Sequence, residues 1–268
     1  MAGVSGHSTK QTLEFIEDAV AAGANYALVL PPSYFGKQTT ATVINNFYGE
    51  IAEKSRLPIV IYNLPAVCNN IDLDSATIAR LAKTHANIVG VKLTCCSVAK
   101  VTRLAAELTP DMFSIYGGQS DALIGTLAAG AVGTIAGFAN VFPRTIATVY
   151  KLYTQGRHNE ATELHKKVAL AEQHCKSGPA SVKYAVAITL PESAGIKYPL
   201  DRLKPRRPYV EPEEAAKRII TSQVAPLVDI EAGLRQGAHA WCTTEAHRHA
   251  GTEPGEHWAI CYKNGNKA

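Results

Sequence analysis

Short apolar runs alternate with stretches of helical period over the first 142 residues. The apolar runs predict strands near 25–32, 57–65, 87–93, 112–118 and 132–137. The periodic stretches predict helices over 8–24, 41–55, 74–86, 97–108 and 120–131. Because the strands lack polar alternation, we expect both faces of their sheet to be covered. Strands and helices alternating at this regular spacing favour a parallel (β/α) barrel over a doubly wound sheet.

The pattern becomes purely helical after residue 143. Two helices broken at Gln155-Gly156 are predicted within 142–175, and further helices over 179–190 and 211–234. The chain therefore divides into a partial barrel, a helical region and a tail that has neither period. Their predicted bounds are 1–142, 143–237 and 238–268, and we expect the tail to be poorly ordered.

Composition and charge exclude several classes of partner. The net charge is +4, and the Lys and Arg residues are scattered, so no nucleic-acid partner is predicted. No run of about 18 apolar residues occurs, so no membrane span is predicted either. The N-terminal stretch resembles neither a signal peptide nor an Arg-rich transit sequence. The cysteines do not form a disulfide framework, and free thiols in a reducing compartment predict a cytoplasmic protein.

A lysine, Lys92, interrupts the strand-like segment NIVGVKL. It lies near the carboxyl end of its strand, as Tyr62 does in PIVIYN, and in parallel barrels such positions face the active site. An amine in a dry, apolar barrel mouth is a usable nucleophile that condenses with a carbonyl to an imine, and a tyrosine hydroxyl can shuttle the proton. Spacing alone leaves two alternatives equally open. Lys92 could be a solvent-reaching lysine in an ion pair, and Tyr62 a core tyrosine with a bonded hydroxyl.

The motifs YNLP (62–65) and GVK (90–92) resemble the dihydrodipicolinate synthase / N-acetylneuraminate lyase family of class I aldolases. The resemblance implies a TIM (β/α)8-type barrel with a C-terminal helical extension, assembled as a homo-oligomer, usually a tetramer. It implies that Lys92 forms a Schiff base with pyruvate or another 2-oxo acid, and that Tyr62 is the proton relay. No metal and no organic cofactor are implied.

Four further positions are expected to contact substrate because they match the family's loops. Tyr34, in PPSYFGK, matches a tyrosine that reaches into a neighbouring subunit's site in some members. Ile135, in GTIAGFANVFP, matches a residue whose backbone contacts the bound 2-oxo acid. Asn63 follows Tyr62 in its motif, and Gly117 would let the backbone approach the substrate, although a Gly-Gly pair also suits a simple turn.

The chain departs from the family pattern at both ends. Family members begin with two further βα units, whose Gly-Thr-Thr-Gly-Glu loop binds the 2-oxo acid's carboxylate, and no such loop occurs here. We therefore expect an N-terminally truncated barrel that lacks its first two βα units. Residues 238–268 match nothing in the family. A zinc site there is a weak alternative, since the spacing of Cys242, His247, His249, His257 and Cys261 fits no standard site.

Val67 bears on the choice of substrate. Dihydrodipicolinate synthases carry an arginine at the matching position, which binds the second substrate's carboxylate. The resemblance, close to fungal members, therefore favours a retro-aldol lyase that cleaves a 2-oxo-3-deoxy sugar acid or 4-hydroxy-2-oxoglutarate. Three alternatives stay open: a synthase-like condensation of pyruvate with an aldehyde, an inactive barrel with only an assembly role, and a sugar-acid sensor that binds without turnover.

Overall fold

One parallel sheet organises the structure. A computed structural model describes residues 1–190 and 195–242, with the backbone alone for 235–242. The strands are β1 (Ala2–Gly3), β2 (Ala27–Val29), β3 (Ile59–Asn63), β4 (Ile88–Leu93), β5 (Ser114–Gly117) and β6 (Gly133–Thr134). Each strand pairs in parallel with the next one along the chain, in the order β1 to β6. A doubly wound sheet would reverse its strand order at a switch point, so this α/β sheet is a six-stranded half-barrel.

Helices follow the strands as the sequence predicts. The helices are α1 (Thr9–Ala21), α2 (Ala41–Lys54), α3 (Ser75–Thr84), α4 (Val98–Glu107), α5 (Leu123–Ala128), α6 (Pro143–Thr154), α7 (His158–Gln173), α8 (Pro179–Thr189), α9 (Pro199–Arg202) and α10 (Glu214–Cys242). Within the described ranges, none of them is long and apolar enough to cross a bilayer.

Two predicted boundaries differ from the structure. The segment predicted as one helix over 120–131 is a 3₁₀ turn, Ser120–Ala122, followed by the short α5. Helix α10 continues through Cys242, beyond the predicted start of the tail at 238. The rest of the predicted tail, and with it most of the zinc alternative, lies outside the described residues.

Local sequence signals begin the first four helices. In each, a side-chain oxygen just before the helix accepts a hydrogen bond from a backbone N–H that lacks a partner inside the helix. The capping residues are Ser8, Thr40, Asp74 and Ser97. Ser8 and Gln11 have the spacing of a capping box, but the Gln11 side chain accepts from His7 N rather than from Ser8 N. These short polar residues let each loop end where the next helix must start.

The sheet buries one face against the helices. Val29, Ile61, Val91 and Ile115 lie side by side across β2 to β5 and pack with α1 to α4 into the main core. A second core joins α6, α7, α8 and α10. Since side chains alternate along a strand, the intervening residues point to the opposite face. On that face Val60 is buried outside the main core, and Tyr62, Lys92 and Tyr116 are half-buried.

Truncating Leu104, a fully buried residue of α4, should lower the free energy of unfolding by about 2–5 kcal/mol, because Leu104→Ala removes apolar contacts and leaves a cavity. Urea unfolding followed by circular dichroism measures this loss. Val98→Ala on the same helix is the matched control, since that side chain is 45% exposed, and it should change stability by about 0.5 kcal/mol or less.

Candidate active site

Three side chains form a row across the face of the sheet opposite the main core. Lys92 pairs in register with Tyr62 on β3 and with Tyr116 on β5. Their preceding neighbours Ile61, Val91 and Ile115 face the core, so the row faces away from it. All three are half-buried and lie near the carboxyl ends of their strands, where the active sites of parallel barrels are built.

The amine of Lys92 lies over the ring of Tyr62, with Nζ 4.0 Å from the ring centroid. Among the residues that the structure describes, no carboxylate lies within ion-pair distance of Lys92. The structure therefore does not contain the ion pair that was the alternative explanation for Lys92. The geometry brings together the two residues that the sequence proposes as nucleophile and proton relay.

Tyr116 is a member of this row that sequence reasoning missed. Tyr116 lies on the other side of Lys92 from Tyr62, and it is half-buried as those two residues are. The signal was present in SIYGG, where an aromatic residue ends a strand-like run just as Tyr62 does. Two tyrosines therefore flank the lysine.

Asn63 faces away from this row and is fully buried. Its Nδ2 donates to Asp72 Oδ1 at 2.6 Å, and its Oδ1 accepts from Leu73 N at 3.0 Å. Lys100, from α4, donates to the same Asp72 oxygen at 2.5 Å and to Leu73 O at 2.6 Å. The amide of Asn63 is thus used inside the protein, which is a correction to its expected contact with substrate. We assign it to a clamp, formed by the buried Asn63 and Lys100 and the half-exposed Asp72, that ties the loop after β3 to α4.

The charges of this clamp depend on one another. Lys100 is buried, whereas the Asp72 side chain is half exposed. Burial acts to raise the pKa of Asp72, but the hydrogen bonds from Lys100 and Asn63 outweigh it and leave that pKa below its ordinary value. Sequence reasoning missed Lys100, because a lysine in an amphipathic helix is usually solvated.

The loops after β5 and β6 meet at the same edge of the sheet. Gly117 O accepts hydrogen bonds from Ile135 N at 2.9 Å and from Thr134 Oγ1 at 3.2 Å. A Cβ on Gly118 would lie 2.4 Å from Thr94 Cα, so only glycine allows this loop to pack on the end of β4. The Thr94 hydroxyl, two residues beyond Lys92, is buried and has no hydrogen-bond partner in the described part of the chain.

Tyr34 is not part of the row. It lies in the loop after β2, is 74% exposed, and its ring contacts those of His7 and Phe35, with centroids 5.9 and 5.0 Å away. Its expected contact with a site, in this or a neighbouring subunit, stays a prediction.

The fold and the row together define a β/α-barrel protein with a lysine and a tyrosine paired at its strand ends. The model of the Dihydrodipicolinate synthetase family matches residues 1–223, which is most of the chain. The chain therefore belongs to the dihydrodipicolinate synthetase family.

Fungal proteins are among the most similar relatives. A Coccidioides immitis protein provisionally named 4-hydroxy-2-oxoglutarate aldolase, mitochondrial, is 56% identical over 234 residues, covering 87% of this chain and 74% of its own length. The L-threo-3-deoxy-hexylosonate aldolase of Hypocrea jecorina is 37% identical, covering 87% and 73%. A crystal structure provisionally assigned to the dihydrodipicolinate synthase family, also from Coccidioides immitis, matches with a TM-score of 0.82 at 53% identity, covering 87% and 74%.

These names correct the expected cytoplasmic location. Two fungal relatives, from Coccidioides immitis and Emericella nidulans, are named mitochondrial. The expectation of a cytoplasmic protein is wrong because it rested on free thiols. Free thiols indicate reducing surroundings, which do not single out the cytoplasm.

Replacing Asp72 with Asn should change how stability depends on pH. Because folding lowers the pKa of Asp72, its stabilising contribution is present above about pH 4 and is lost as the pH falls through the folded value. Wild type should therefore exceed Asp72→Asn in free energy of unfolding at pH 7, and the difference should shrink below about pH 4. Urea unfolding at a series of pH values measures it.

The exposed Asp111 gives the matched control, since Asp111→Asn should leave stability nearly unchanged at every pH. A difference between wild type and Asp72→Asn that does not vary with pH would contradict the charge-dependent role of the clamp.

Proposed function

We propose that this protein is a class I aldolase in which Lys92 forms an imine with a 2-oxo acid. The observation that carries the proposal is the Lys92 amine, 4.0 Å from the Tyr62 ring centroid and without an ion-pair partner among the described residues. The names of the fungal relatives, which are aldolases for related 2-oxo acids, support it. The proposed substrate is 4-hydroxy-2-oxoglutarate or a 2-oxo-3-deoxy sugar acid, cleaved to pyruvate and an aldehyde.

In the proposed reaction, Lys92 Nζ attacks the 2-oxo carbon and water leaves, giving a protonated imine. The Tyr62 hydroxyl gives the proton with which this water leaves, and the resulting phenolate takes the proton of the 4-hydroxyl as the C3–C4 bond breaks. The bonding electrons pass into the imine. The aldehyde departs, C3 of the enamine is protonated, and hydrolysis releases pyruvate and restores the amine. The imine is itself the electron sink, so the reaction requires no metal or organic cofactor.

Substrate binding is proposed for groups that surround the row. The partnerless hydroxyl of Thr94 can donate a hydrogen bond to a bound oxygen, and satisfying a buried polar group favours occupancy. The backbone at Gly117 and Ile135 lies at the same strand ends. Val67 is 59% exposed in the loop after β3, where it offers no guanidinium for a second carboxylate. This favours cleavage over synthase-like condensation.

The wider assembly follows the family in this proposal. The six strands correspond to strands three to eight of the family's barrel, Tyr34 reaches a neighbouring subunit, and the protein forms a homo-oligomer. The names of its fungal relatives favour a mitochondrial location.

Pyruvate and borohydride should add a reduced pyruvyl group to Lys92, because borohydride traps the imine as a stable secondary amine. Intact mass and peptide mapping locate the adduct. Lys92→Met should abolish it, whereas replacing Lys83, an exposed lysine paired with Glu107, should leave it unchanged. Tyr62→Phe should still form the adduct, but should lose roughly 10²–10⁴-fold in the rate of C–C cleavage.

The proposal fails if folded wild-type protein forms no adduct, or if the adduct maps to other lysines. Adduct formation without release of aldehyde from either substrate would instead indicate the sensor. A requirement for added aldehyde in a condensation assay would indicate the synthase.

A further inference from the structure

Helix α7 carries a buried glutamate that contacts the loop after β5. Glu172 is only 4% exposed. Its Oε2 accepts from Ser120 Oγ at 2.6 Å and from Asp121 N at 2.7 Å, and its Oε1 accepts from Ser120 N at 3.3 Å. His165, on the same helix, places Nε2 2.8 Å from Ser120 O. The helical region therefore holds the first residues of the 3₁₀ turn that follows β5.

Helix α10 repeats this arrangement at the start of α6, the helix that follows the loop after β6. Glu231 is only 2% exposed. Its Oε1 accepts from Arg144 N at 3.1 Å, and its Oε2 accepts from Thr145 N at 2.8 Å and from Thr145 Oγ1 at 2.7 Å. In both cases one carboxylate binds two successive backbone N–H groups and the hydroxyl of a Ser or Thr.

The bonded N–H groups lie at the starts of a 3₁₀ turn and a helix, where the backbone has unsatisfied donors and negative charge is favourable. At the 3₁₀ turn Ser120–Ala122 and at α6, the residue just before the element makes no capping hydrogen bond with its side chain. The two glutamates supply from a distance the acceptors that Ser8, Thr40, Asp74 and Ser97 supply locally at α1 to α4.

A continuous set of contacts leads from Glu172 to the site. Glu172 accepts a hydrogen bond from Ser120. Two residues before Ser120, Gly118 packs against the backbone of Thr94. Thr94 follows Lys92 by two residues on the end of β4. A shift of this loop would therefore move the chain beside the amine.

We propose that Glu172 and Glu231 are positioning residues, through which the C-terminal helices hold the two loops that complete the site around Lys92. The energetic character of Glu172 supports this role. Burial and the nearby Asp121 charge raise the pKa of Glu172 despite the hydrogen bonds from Ser120 and Asp121, so the ionised form of this side chain is costly to bury. An apolar contact would join these helices to the sheet without that cost, but it would leave the N–H groups of the loop unsatisfied.

Hydrogen exchange and imine trapping on the full chain test the proposal together. The variants are Glu172→Gln and Glu231→Gln, which keep the side-chain volume. Each replaces one carboxylate oxygen with an NH₂ group, which cannot accept the hydrogen bonds that the N–H and hydroxyl groups donate there. Glu163→Gln on α7 and Glu214→Gln on α10 are the matched controls, because both side chains are largely exposed. Ser120→Ala, which deletes one hydrogen bond, serves if Glu172→Gln does not fold.

Glu172→Gln should speed amide exchange over 117–122 by about ten-fold or more, and Glu231→Gln should do so over 143–146. Peptides of α3 should exchange as in wild type. Both variants should also slow the initial rate of borohydride trapping on Lys92 by about ten-fold, whereas the controls should match wild type.

Two results would overturn the proposal. In the first, exchange in the glutamine variants rises equally over the whole chain, which would mark the glutamates as general stabilisers. In the second, the two segments exchange in these variants as they do in wild type. The interpretation of the borohydride trapping rests on the proposed aldolase function, whereas that of the hydrogen exchange does not. A wild-type chain that forms no imine would therefore refute the proposed function, and exchange would still decide whether the glutamates hold the loops.

Discussion

The parallel pairing of β3 with β4 is the constraint on which the candidate site depends. It sets Tyr62 opposite Lys92, and the pairing of β4 with β5 extends the row to Tyr116. A slip of one residue would turn Val91 or Leu93 onto the face that carries this row and force the lysine into the apolar core. Burial of Ile61, Val91 and Ile115 against the helices opposes that slip, since exposing them costs free energy in proportion to their apolar area. The core therefore fixes the face of the sheet on which the Lys92 amine lies.

Polar groups hold the loops together with the apolar cores, which include Leu73 after β3 and Phe138 after β6. The clamp of Asn63, Asp72 and Lys100 ties the loop after β3 to α4. Glu172 does the same for the loop after β5, and Glu231 does it for the start of α6, where the loop after β6 ends. All three arrangements lie at the carboxyl ends of the strands, where loops in parallel barrels carry the chemistry. Hydrogen bonds are directional, so they fix a loop's backbone more narrowly than apolar packing does.

The sequence singled out Lys92 and Tyr62 because each is a polar side chain near the end of an apolar strand. It missed Tyr116, although the same rule applied to it. It assigned Asn63 to the substrate because of its neighbour in the motif, whereas alternation along β3 turns it to the other face. Lys100 and Glu172 gave no signal, because charged residues on amphipathic helices are normally solvated. Their partners lie 28 and 52 residues away in the chain.

By itself, the sequence determined the alternation of strands and helices, the caps that begin α1 to α4, and the motifs that mark the family. These are local properties, set by hydrophobic period and by hydrogen bonds between residues three or four apart. Only the tertiary structure decided which residues share a face with Lys92, which polar groups are buried, and which helix holds which loop. Those relations join residues distant in the chain, and only packing and strand register bring such residues together.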